Sequence, residues 1–302
     1  EDGMPTTLTH EKAGYFDMGP LDLGENARRD IVLTLEDMGF EVEASHHEGA
    51  PAQHEVDFKY DDALTTADNI MTFKLVVKMI AKRHGLHATF MPKPKAEVNG
   101  SGMHINMSLS KNGKNIFQDP EDKNGLSREA YYFIGGLLKH MKAITCLTNP
   151  TVNSYKRFVP GYEAPVCTVT SLGHSAQLPS RNRTVLVGLV REIGNKMATR
   201  FELRSPNPKS NTYLVIAASY MAMLDGIKAA LENGKTSDEL ERSISKEYGQ
   251  EDFYLDKDRI YRSELDVFDE YTEEERDKFF GKAPRTVWEN ICAFDEYPEK
   301  LE

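Results

Sequence analysis

Residues 102–110 read GMHINMSLS, and apolar and polar side chains alternate along the whole segment. Successive side chains of a β-strand point to opposite faces, so a strand here would sort its residues into two sets. The apolar set is Met103, Ile105, Met107 and Leu109. The opposite face would carry His104, Asn106 and Ser108. The alternation therefore predicts a strand with one face in a core and the other available for chemistry.

Two further segments repeat this alternation, residues 199–204 and 54–60. Their polar positions are Arg200, Glu202, Arg204, Glu55 and Asp57. Apolar residues at helical spacing predict amphipathic helices at about 25–38, 67–84, 127–147 and 212–232. We therefore predict an α+β fold in which a curved, mainly antiparallel sheet has a polar ligand-binding face, is backed by helices and is followed by a helical C-terminal part.

The composition of the 302 residues excludes several classes of protein. Hydrophobic residues make up 39%, which is enough for a folded core. No stretch approaches the roughly 20 apolar residues of a membrane helix, so we expect no membrane association. A net charge of −11 opposes binding to nucleic acid. The three cysteines are widely spaced, which fits a reducing cytoplasm better than a disulfide framework.

The polar residues of these segments suggest two opposite kinds of ligand. One set consists of carboxylates and a histidine: Glu48, Glu55, Glu202 and His104. Crowded carboxylates repel one another unless a hard divalent cation such as Mg²⁺ or Mn²⁺ lies among them. A second set consists of arginines, which bind phosphate or carboxylate groups through two parallel hydrogen bonds: Arg157, Arg183 and Arg204. Any one of these residues alone would more simply be a surface ion pair or a core histidine; the joint pattern predicts an enzyme that uses a nucleotide and an acid.

Zinc is the competing interpretation, because His46, His47 and His54 lie near Glu48 and Glu55 in the sequence. The segment contains no HExxH motif. His46 and His47 are also neighbours in a probable strand, so their side chains should point to opposite faces. Neither a GxxxxGK[ST] loop nor a GxGxxG motif after a strand is present, so nucleotide binding must use another fold.

Four runs of sequence resemble the glutamine synthetase family in order and spacing, especially the type I forms of Gram-positive bacteria. They are residues 14–60, which include EASHHEGAPAQHEVDFKY, residues 87–104 (HATFMPKPKAEVNGSGMH), residues 148–165 (TNPTVNSYKRFVPGYEAP) and residues 198–214 (ATRFELRSPNPKSNTYL). The resemblance covers about residues 13–230. It implies ATP-dependent ligation of ammonia to L-glutamate through γ-glutamyl phosphate. A glutamate–polyamine or other amine ligase of the same family and a catalytically silent binding relative are the alternatives.

The resemblance also implies a role for each matching residue. Glu48 and Glu55 match ligands of one Mg²⁺ or Mn²⁺ ion, and His104 and Glu202 match ligands of a second ion, which neutralises the phosphates of ATP. Two or more ions per site are therefore expected.

The glutamate substrate is expected to contact four residues. Asn99 and Gly100 match the loop that holds glutamate, and a glycine there lets the backbone approach the substrate. Arg157 and Arg204 match arginines that bind its carboxylates.

Five further residues match positions that contact ATP or take part in the chemistry. Asn106, Ser108 and Glu43 match nucleotide contacts, and Arg183 matches the arginine that stabilises charge on the transferring phosphoryl group. Glu163 matches a flap residue that closes the site and takes a proton from ammonium.

The sequence departs from the family in two places. Gly188 stands where the family has a second phosphate-contacting arginine; the nearest candidate is Arg191, which could take its place if the strand bulges. The family has a small β-grasp-like N-terminal domain and a strand with further metal-binding glutamates, and neither appears before Glu1. We therefore expect a catalytic-domain fragment, with a core in 1–232 and a helical region in 233–302, that is inactive alone. The full-length protein is expected to form homo-oligomeric, dodecameric rings with sites between neighbouring subunits.

Overall fold

A computed structural model of the chain describes residues 8–159, 164–171, 183–192, 195–233 and 272–296. The chain divides into two compact units, Glu1–Ser101 and Gly102–Glu302. No helix in the described ranges is both long and apolar enough to cross a bilayer. The division of the chain near 232 that the resemblance implies stays a prediction.

The first unit consists of a two-stranded hairpin and two helices. Its elements are α1 (Glu25–Asp37), β1 (Val42–His47), β2 (His54–Phe58) and α2 (Ala63–Arg83). Ile31 and Leu35 lie one helical turn apart on α1 and pack with Val76 and Ile80 of α2 in a small apolar core. The helix α2 begins at Ala63 rather than near 67, because the side chain of the preceding aspartate, Asp62, accepts hydrogen bonds from the first free backbone amides.

The hairpin turns neighbouring residues to opposite sides. Antiparallel pairing sets His46 opposite Glu55 and His47 opposite His54. His47 is fully buried, whereas Glu55 is exposed. The chain between the two strands, residues 48–53, is therefore a loop whose ends are fixed by the register of the hairpin.

The second unit contains the larger sheet and the remaining helices. Its elements are β3 (Ile105–Met107), β4 (Ser110–Lys111), β5 (Lys114–Asn115), α3 (Arg128–Thr148), α4 (Val152–Tyr155), β6 (Cys167–Ser171), β7 (Val185–Glu192), β8 (Asn195–Leu203), α5 (Thr212–Asn233), α6 (Glu273–Phe280) and α7 (Val287–Glu296). Four strands form one sheet in the order β3–β8–β7–β6. Within this sheet β6 and β7 are parallel and the other two pairs are antiparallel, so the prediction of a mainly antiparallel sheet with helices is confirmed.

Two expectations about the strands differ from the structure. Within the segment 102–110, regular strand is confined to Ile105–Met107 and to Ser110, where β4 begins. At Met103 the amide donates to the carbonyl of Pro206 outside the regular ladder. Alternating exposure nevertheless runs along the whole segment. The strand β2 lies in its own two-stranded sheet, since alternation identifies the faces of a strand but not its partner.

The core of the second unit joins the sheet to α3. Phe117, Phe133 and Phe201 are fully buried, and their ring centroids lie 4.9, 5.1 and 5.3 Å apart. Phe133 belongs to α3 and Phe201 to β8. Ring packing of this kind fixes which face of β8 is turned inward.

The helices α3 and α5 approach closely at a pair of glycines. A Cβ atom at Gly136 would overlap the carbonyl oxygen of Ala222 and would lie 2.9 Å from the amide nitrogen of Gly226. A Cβ atom at Gly226 would overlap the carbonyl oxygen of Tyr132. The contact therefore requires glycine on both helices.

We expect Gly136→Ala to lower the free energy of unfolding by about 1–3 kcal/mol, because the added methyl group has to force apart two packed helices. Urea denaturation measures the change. Gly135→Ala, the same substitution one residue earlier in α3, controls for the general effect of alanine on helix stability. Equal stability of Gly136→Ala and the unsubstituted chain would contradict the close packing.

Candidate active site

The polar face of the four-stranded sheet brings His104 and Glu202 together. The register of β3 with β8 sets Asn106 directly opposite Glu202, and Nδ1 of His104 lies 3.6 Å from Oε1 of Glu202. Gly188 on β7 is the other neighbour of Glu202. A Cβ atom at Gly188 would be 3.5 Å from the carboxylate, so the glycine leaves space beside it.

The imidazole of His104 is held in its neutral form. Loss of solvent around the ring lowers its pKa well below the usual value, and the positive charges of Arg204, Arg157 and Arg183 lower the pKa further. The side chain still has 33% of its surface exposed. A neutral imidazole keeps the lone pair that a metal ion requires, so His104 and Glu202 together can bind a cation.

Two arginines lie beside this pair. Arg157 is buried, and its guanidinium donates to the carbonyl oxygens of Ser205, Pro206 and Arg204 at 3.1, 3.2 and 3.4 Å. These acceptors are all neutral, and burial, together with the charge of Arg204, lowers the pKa of Arg157 to about 9. Arg204 instead donates to Oε2 of Glu202 at 2.8 Å. The buried charge of Arg157 therefore suits an anionic ligand.

Carboxylates gather on the exposed face of the β1–β2 hairpin. Glu55 lies opposite His46, with 3.8 Å between Oε1 and Nε2. Partial burial and the neighbouring carboxylates of Asp57 and Glu48 raise the pKa of Glu55 to about 8. One ligand atom each from His46, Glu55 and Asp57 lies within 4.8 Å of the others. A divalent cation would relieve the repulsion among these groups.

Asp57 was not predicted as part of the site, although it was placed on the polar face of its segment. Its signal in the sequence is the spacing of two residues from Glu55, which puts both side chains on one face of β2. The zinc alternative would be favoured if His46 and His47 could reach the same ion. His46 and His47 point to opposite faces of the hairpin, since His47 is buried and His46 is stacked on the exposed ring of Phe16.

Ion pairs lie beneath the hairpin and support it. His47 contacts Oε1 of Glu11 at 2.8 Å and the carbonyl oxygen of Glu48 at 2.6 Å. The exposed fractions of the His47 and Glu11 side chains are 0% and 2%. Burial opposes both charges, yet the hydrogen bond between the two raises the pKa of His47 and lowers that of Glu11. An acceptor oxygen lies at each ring nitrogen, which favours the protonated imidazole because only that form donates from both nitrogens.

A second group of polar side chains surrounds His54, which follows the loop 48–53. Arg28 donates to Asp22 at 2.7 Å and to Nδ1 of His54 at 2.8 Å. Burial, followed by the charge of Arg28, lowers the pKa of His54 to about 4, so His54 is neutral. Asp22, His47 and His54 are close enough to bind a metal ion, but the guanidinium of Arg28 already neutralises Asp22. Sequence reasoning missed this group because its members are far apart in the chain.

The loop at Asn99 and Gly100 is attached to the hairpin loop. The side-chain amide of Gln53 donates to the carbonyl oxygen of Gly100 at 2.9 Å. A Cβ atom at Gly49 would lie 2.7 Å from Nδ2 of Asn99, so the Asn99 side chain lies directly over Gly49. The structure thus brings two predicted glutamate-binding residues next to the loop that carries Glu48.

The remaining predicted residues are scattered over exposed positions. Asn106 and Ser108 are exposed, and Asn106 accepts a hydrogen bond from Arg200 at 3.0 Å. Glu43 is exposed on β1, and Arg183 is exposed before β7. Glu163 lies outside the described residues.

The pairing of β7 with β8 is irregular at Arg191. The register of β7 with β8 shifts between Val190 and Glu192. Burial lowers the pKa of Arg191 to about 10, and the nearest influences on its charge are Tyr131 and Asp122. Within the described ranges its guanidinium nitrogens have no hydrogen-bond partner. Its role as a second phosphate-contacting arginine stays a prediction.

Comparisons with known proteins agree on one family. The model of the family described as "Glutamine synthetase, catalytic domain" matches residues 2–251. The chain is 62% identical over 232 residues to glutamine synthetase from Clostridium saccharobutylicum, covering 77% of this chain and 50% of the relative. It is 53% identical over 235 residues to the Halobacterium salinarum glutamine synthetase, covering 78% of this chain and 50% of the relative.

A solved structure gives the same result. The cryo-EM structure of Plasmodium falciparum glutamine synthetase is similar to this chain, with a TM-score of 0.74 and 31% sequence identity. The match covers 96% of this chain and 57% of that chain. The chain spans about half the length of the curated relatives it matches.

The buried pair beneath the hairpin makes a prediction about stability. We expect Glu11→Ala to lower the free energy of unfolding by about 1–3 kcal/mol, because Nε2 of the buried His47 loses its hydrogen-bond partner. Glu41→Ala is the matched control, since the 2.6 Å ion pair of Glu41 with Lys59 is exposed and should matter little. Urea unfolding measures both variants, and equal losses would contradict a buried ion pair.

Proposed function

Because this chain belongs to the family of glutamine synthetase catalytic domains, we propose that its protein joins ammonia to the γ-carboxylate of L-glutamate with consumption of ATP. The γ-phosphoryl group of ATP passes to the γ-carboxylate of glutamate, which gives γ-glutamyl phosphate and ADP. Ammonia then attacks this acyl phosphate, phosphate leaves, and L-glutamine is formed. The reaction would take place in the cytoplasm.

One observation carries the proposal: a pair of side chains that could bind a cation and an arginine that could bind an anion lie side by side, since His104 and Arg157 both approach Gly102. His104 is neutral and lies 3.6 Å from the Glu202 carboxylate. Arg157 is buried with only carbonyl acceptors among the described residues. A reaction between a metal-bound nucleotide and an amino dicarboxylic acid needs both kinds of group.

Each set of residues then has a defined task. Arg157 and Arg204 bind carboxylates of glutamate. Asn99 and Gly100 form the loop that holds this substrate. Glu48 and Glu55 would hold one divalent cation, which would help to position the attacking glutamate. His104 and Glu202 would hold a second, whose positive charge would offset that of the ATP phosphates.

The nucleotide and the proton are handled by the remaining residues. Asn106, Ser108 and Glu43 orient ATP, and Arg183 stabilises the phosphoryl group as its charge redistributes. Glu163 accepts a proton from ammonium, so that neutral ammonia is the nucleophile. Closure over Glu163 would also exclude water, which would otherwise hydrolyse the acyl phosphate. The complete protein would act as a homo-oligomer, in dodecameric rings.

The two proposed metal sites can be separated by mutation. We expect His104→Ala and Glu202→Ala each to weaken metal-dependent binding of ATP, and the double variant to be little worse than either, because both residues serve one ion. Glu48→Ala and Glu55→Ala should instead impair mainly the use of glutamate. Nucleotide titrations at several Mn²⁺ concentrations in the intact protein make the measurement. Additive effects at His104 and Glu202 would rule out a shared ion.

A further variant tests the proton acceptor. Glu163→Gln keeps the size of the side chain but removes its basicity, so the rate at subsaturating ammonium should fall by about 10² to 10⁴. Mn²⁺ affinity should stay unchanged. Steady-state kinetics against ammonium concentration, together with a Mn²⁺ titration, provide both readouts. A loss confined to metal affinity would show that Glu163 has another role.

A further inference from the structure

Gln53 ends the loop between β1 and β2 and makes hydrogen bonds in two directions. Its side-chain oxygen accepts from the amide of Ala50 at 3.1 Å. Its backbone carbonyl accepts from the amide of Glu48 at 2.8 Å, and its own amide donates to the carbonyl of Ala50 at 3.0 Å. Its side-chain nitrogen donates to the carbonyl of Gly100 at 2.9 Å. Three of these bonds stay inside the loop, and the fourth leaves it.

The bond that leaves the loop joins two segments with different proposed tasks. The loop 48–53 connects Glu48 to the strand that carries Glu55, whereas Gly100 belongs to the loop that would hold glutamate. Both segments belong to the first unit. The Asn99 side chain, which lies over Gly49, adds a second contact between the same two segments.

The conformation of the loop 48–53 leaves little freedom for independent movement. Ala52 has a φ of +56°, a left-handed value that residues other than glycine rarely adopt. The backbone amide of Ala52 lies close enough to the Glu11 carboxylate to help lower its pKa, and His47 is hydrogen-bonded to the carbonyl of Glu48. A displacement at Glu48 is therefore expected to reach Gln53 and, through it, Gly100.

We propose that Gln53 is a positioning residue that couples the cation site of Glu48 and Glu55 to the glutamate-binding loop at Asn99 and Gly100. A cation bound by Glu48 and Glu55 would shift the loop 48–53 as a unit, and Gln53 would pass that shift to the carbonyl of Gly100, in the loop that receives the amino acid. Coupling of this kind is reciprocal, so glutamate must tighten cation binding by the same factor. The inference depends on the proposed function, because it assumes that a cation binds at Glu48 and Glu55 and that glutamate binds at Asn99 and Gly100.

A simpler role for Gln53 would be to close the turn from Ala50 to Gln53. The backbone bond between these two residues and the side-chain oxygen already close that turn. The bond to Gly100 adds nothing to the turn. The two roles therefore use different atoms of the same side chain, which allows them to be tested separately.

Two substitutions separate these roles. Gln53→Glu keeps an oxygen for the amide of Ala50 but replaces the donor that faces the Gly100 carbonyl by an acceptor. Gln53→Met keeps the approximate size and removes both bonds. Gln118→Met is the matched control, because Gln118 donates a comparable bond of 2.7 Å to Thr199 and belongs to neither loop.

The experiment measures Mn²⁺ affinity of the intact protein by electron paramagnetic resonance of free Mn²⁺, with and without saturating L-glutamate. In the unsubstituted protein and in Gln118→Met we expect glutamate to tighten Mn²⁺ binding by a factor in the range of about 5 to 150. In both Gln53 variants this factor should fall to about 1 to 2, while the thermal unfolding midpoint of Gln53→Glu stays near that of the unsubstituted protein.

Each other result has a definite meaning. Retention of the full factor in Gln53→Glu would overturn the proposal and leave Gln53 as a residue that closes its turn. Absence of coupling in the unsubstituted protein, with both ligands bound, would also overturn it. Failure of the unsubstituted protein to bind Mn²⁺ or glutamate would instead contradict the proposed function. If Gln53→Glu does not fold, Gln53→Met is titrated with glutamate in the presence and in the absence of Mn²⁺. A coupling factor of about 1 to 2 in that variant supports the proposal, and retention of the full factor overturns it.

Discussion

Hydrogen bonding between β3 and β8 sets Asn106 opposite Glu202 and, in the same register, Met107 opposite Phe201. A slip of one residue would exchange the two faces of the strand and place the Glu202 carboxylate among buried aromatic rings. Packing of Phe201 against Phe117 and Phe133 opposes that slip. The apolar core therefore holds the carboxylate on the face where His104 can reach it, and the site depends on a packing interaction that contains no catalytic group.

Each unit holds groups of the same charge close together. These are carboxylates on the hairpin of the first unit, and Arg157 with Arg204 in the second. On the hairpin, Glu55 is surrounded by carboxylates strongly enough to raise its pKa to about 8. The compensating charges below it, His47 with Glu11, are paired with each other rather than with the ligands. In the second unit the carbonyl acceptors of Arg157 are neutral. Arg157 thus has no neutralising carboxylate among the described residues, whereas Arg204 is paired with Glu202. An uncompensated charge of this kind is the condition for binding an ion of opposite sign.

Much of this arrangement could be predicted from the sequence, because it depends on local periodicity. The helices α1, α3 and α5 and the polar face that carries His104 and Glu202 follow directly from spacings of 3.6 and 2 residues. The contacts of Gln53 with Gly100 and of Glu11 with His47 could not be predicted, since each joins positions that are distant in the chain and lie in irregular segments. Glutamine and glutamate at such positions have no pattern that separates them from ordinary surface residues.

Contacts with residues that are distant in the chain stabilise the conformation of the loop 48–53. A left-handed backbone at Ala52 costs roughly 1–2 kcal/mol relative to an ordinary conformation. The carboxylate of Glu11 lies near the Ala52 amide and is hydrogen-bonded to His47, so one buried side chain stabilises both the strained residue and the buried histidine. Because these contacts already hold the loop between Glu48 and Glu55, little of it has to be ordered for the proposed binding of a cation. The free energy of ordering is then spent during folding, and cation affinity is correspondingly higher.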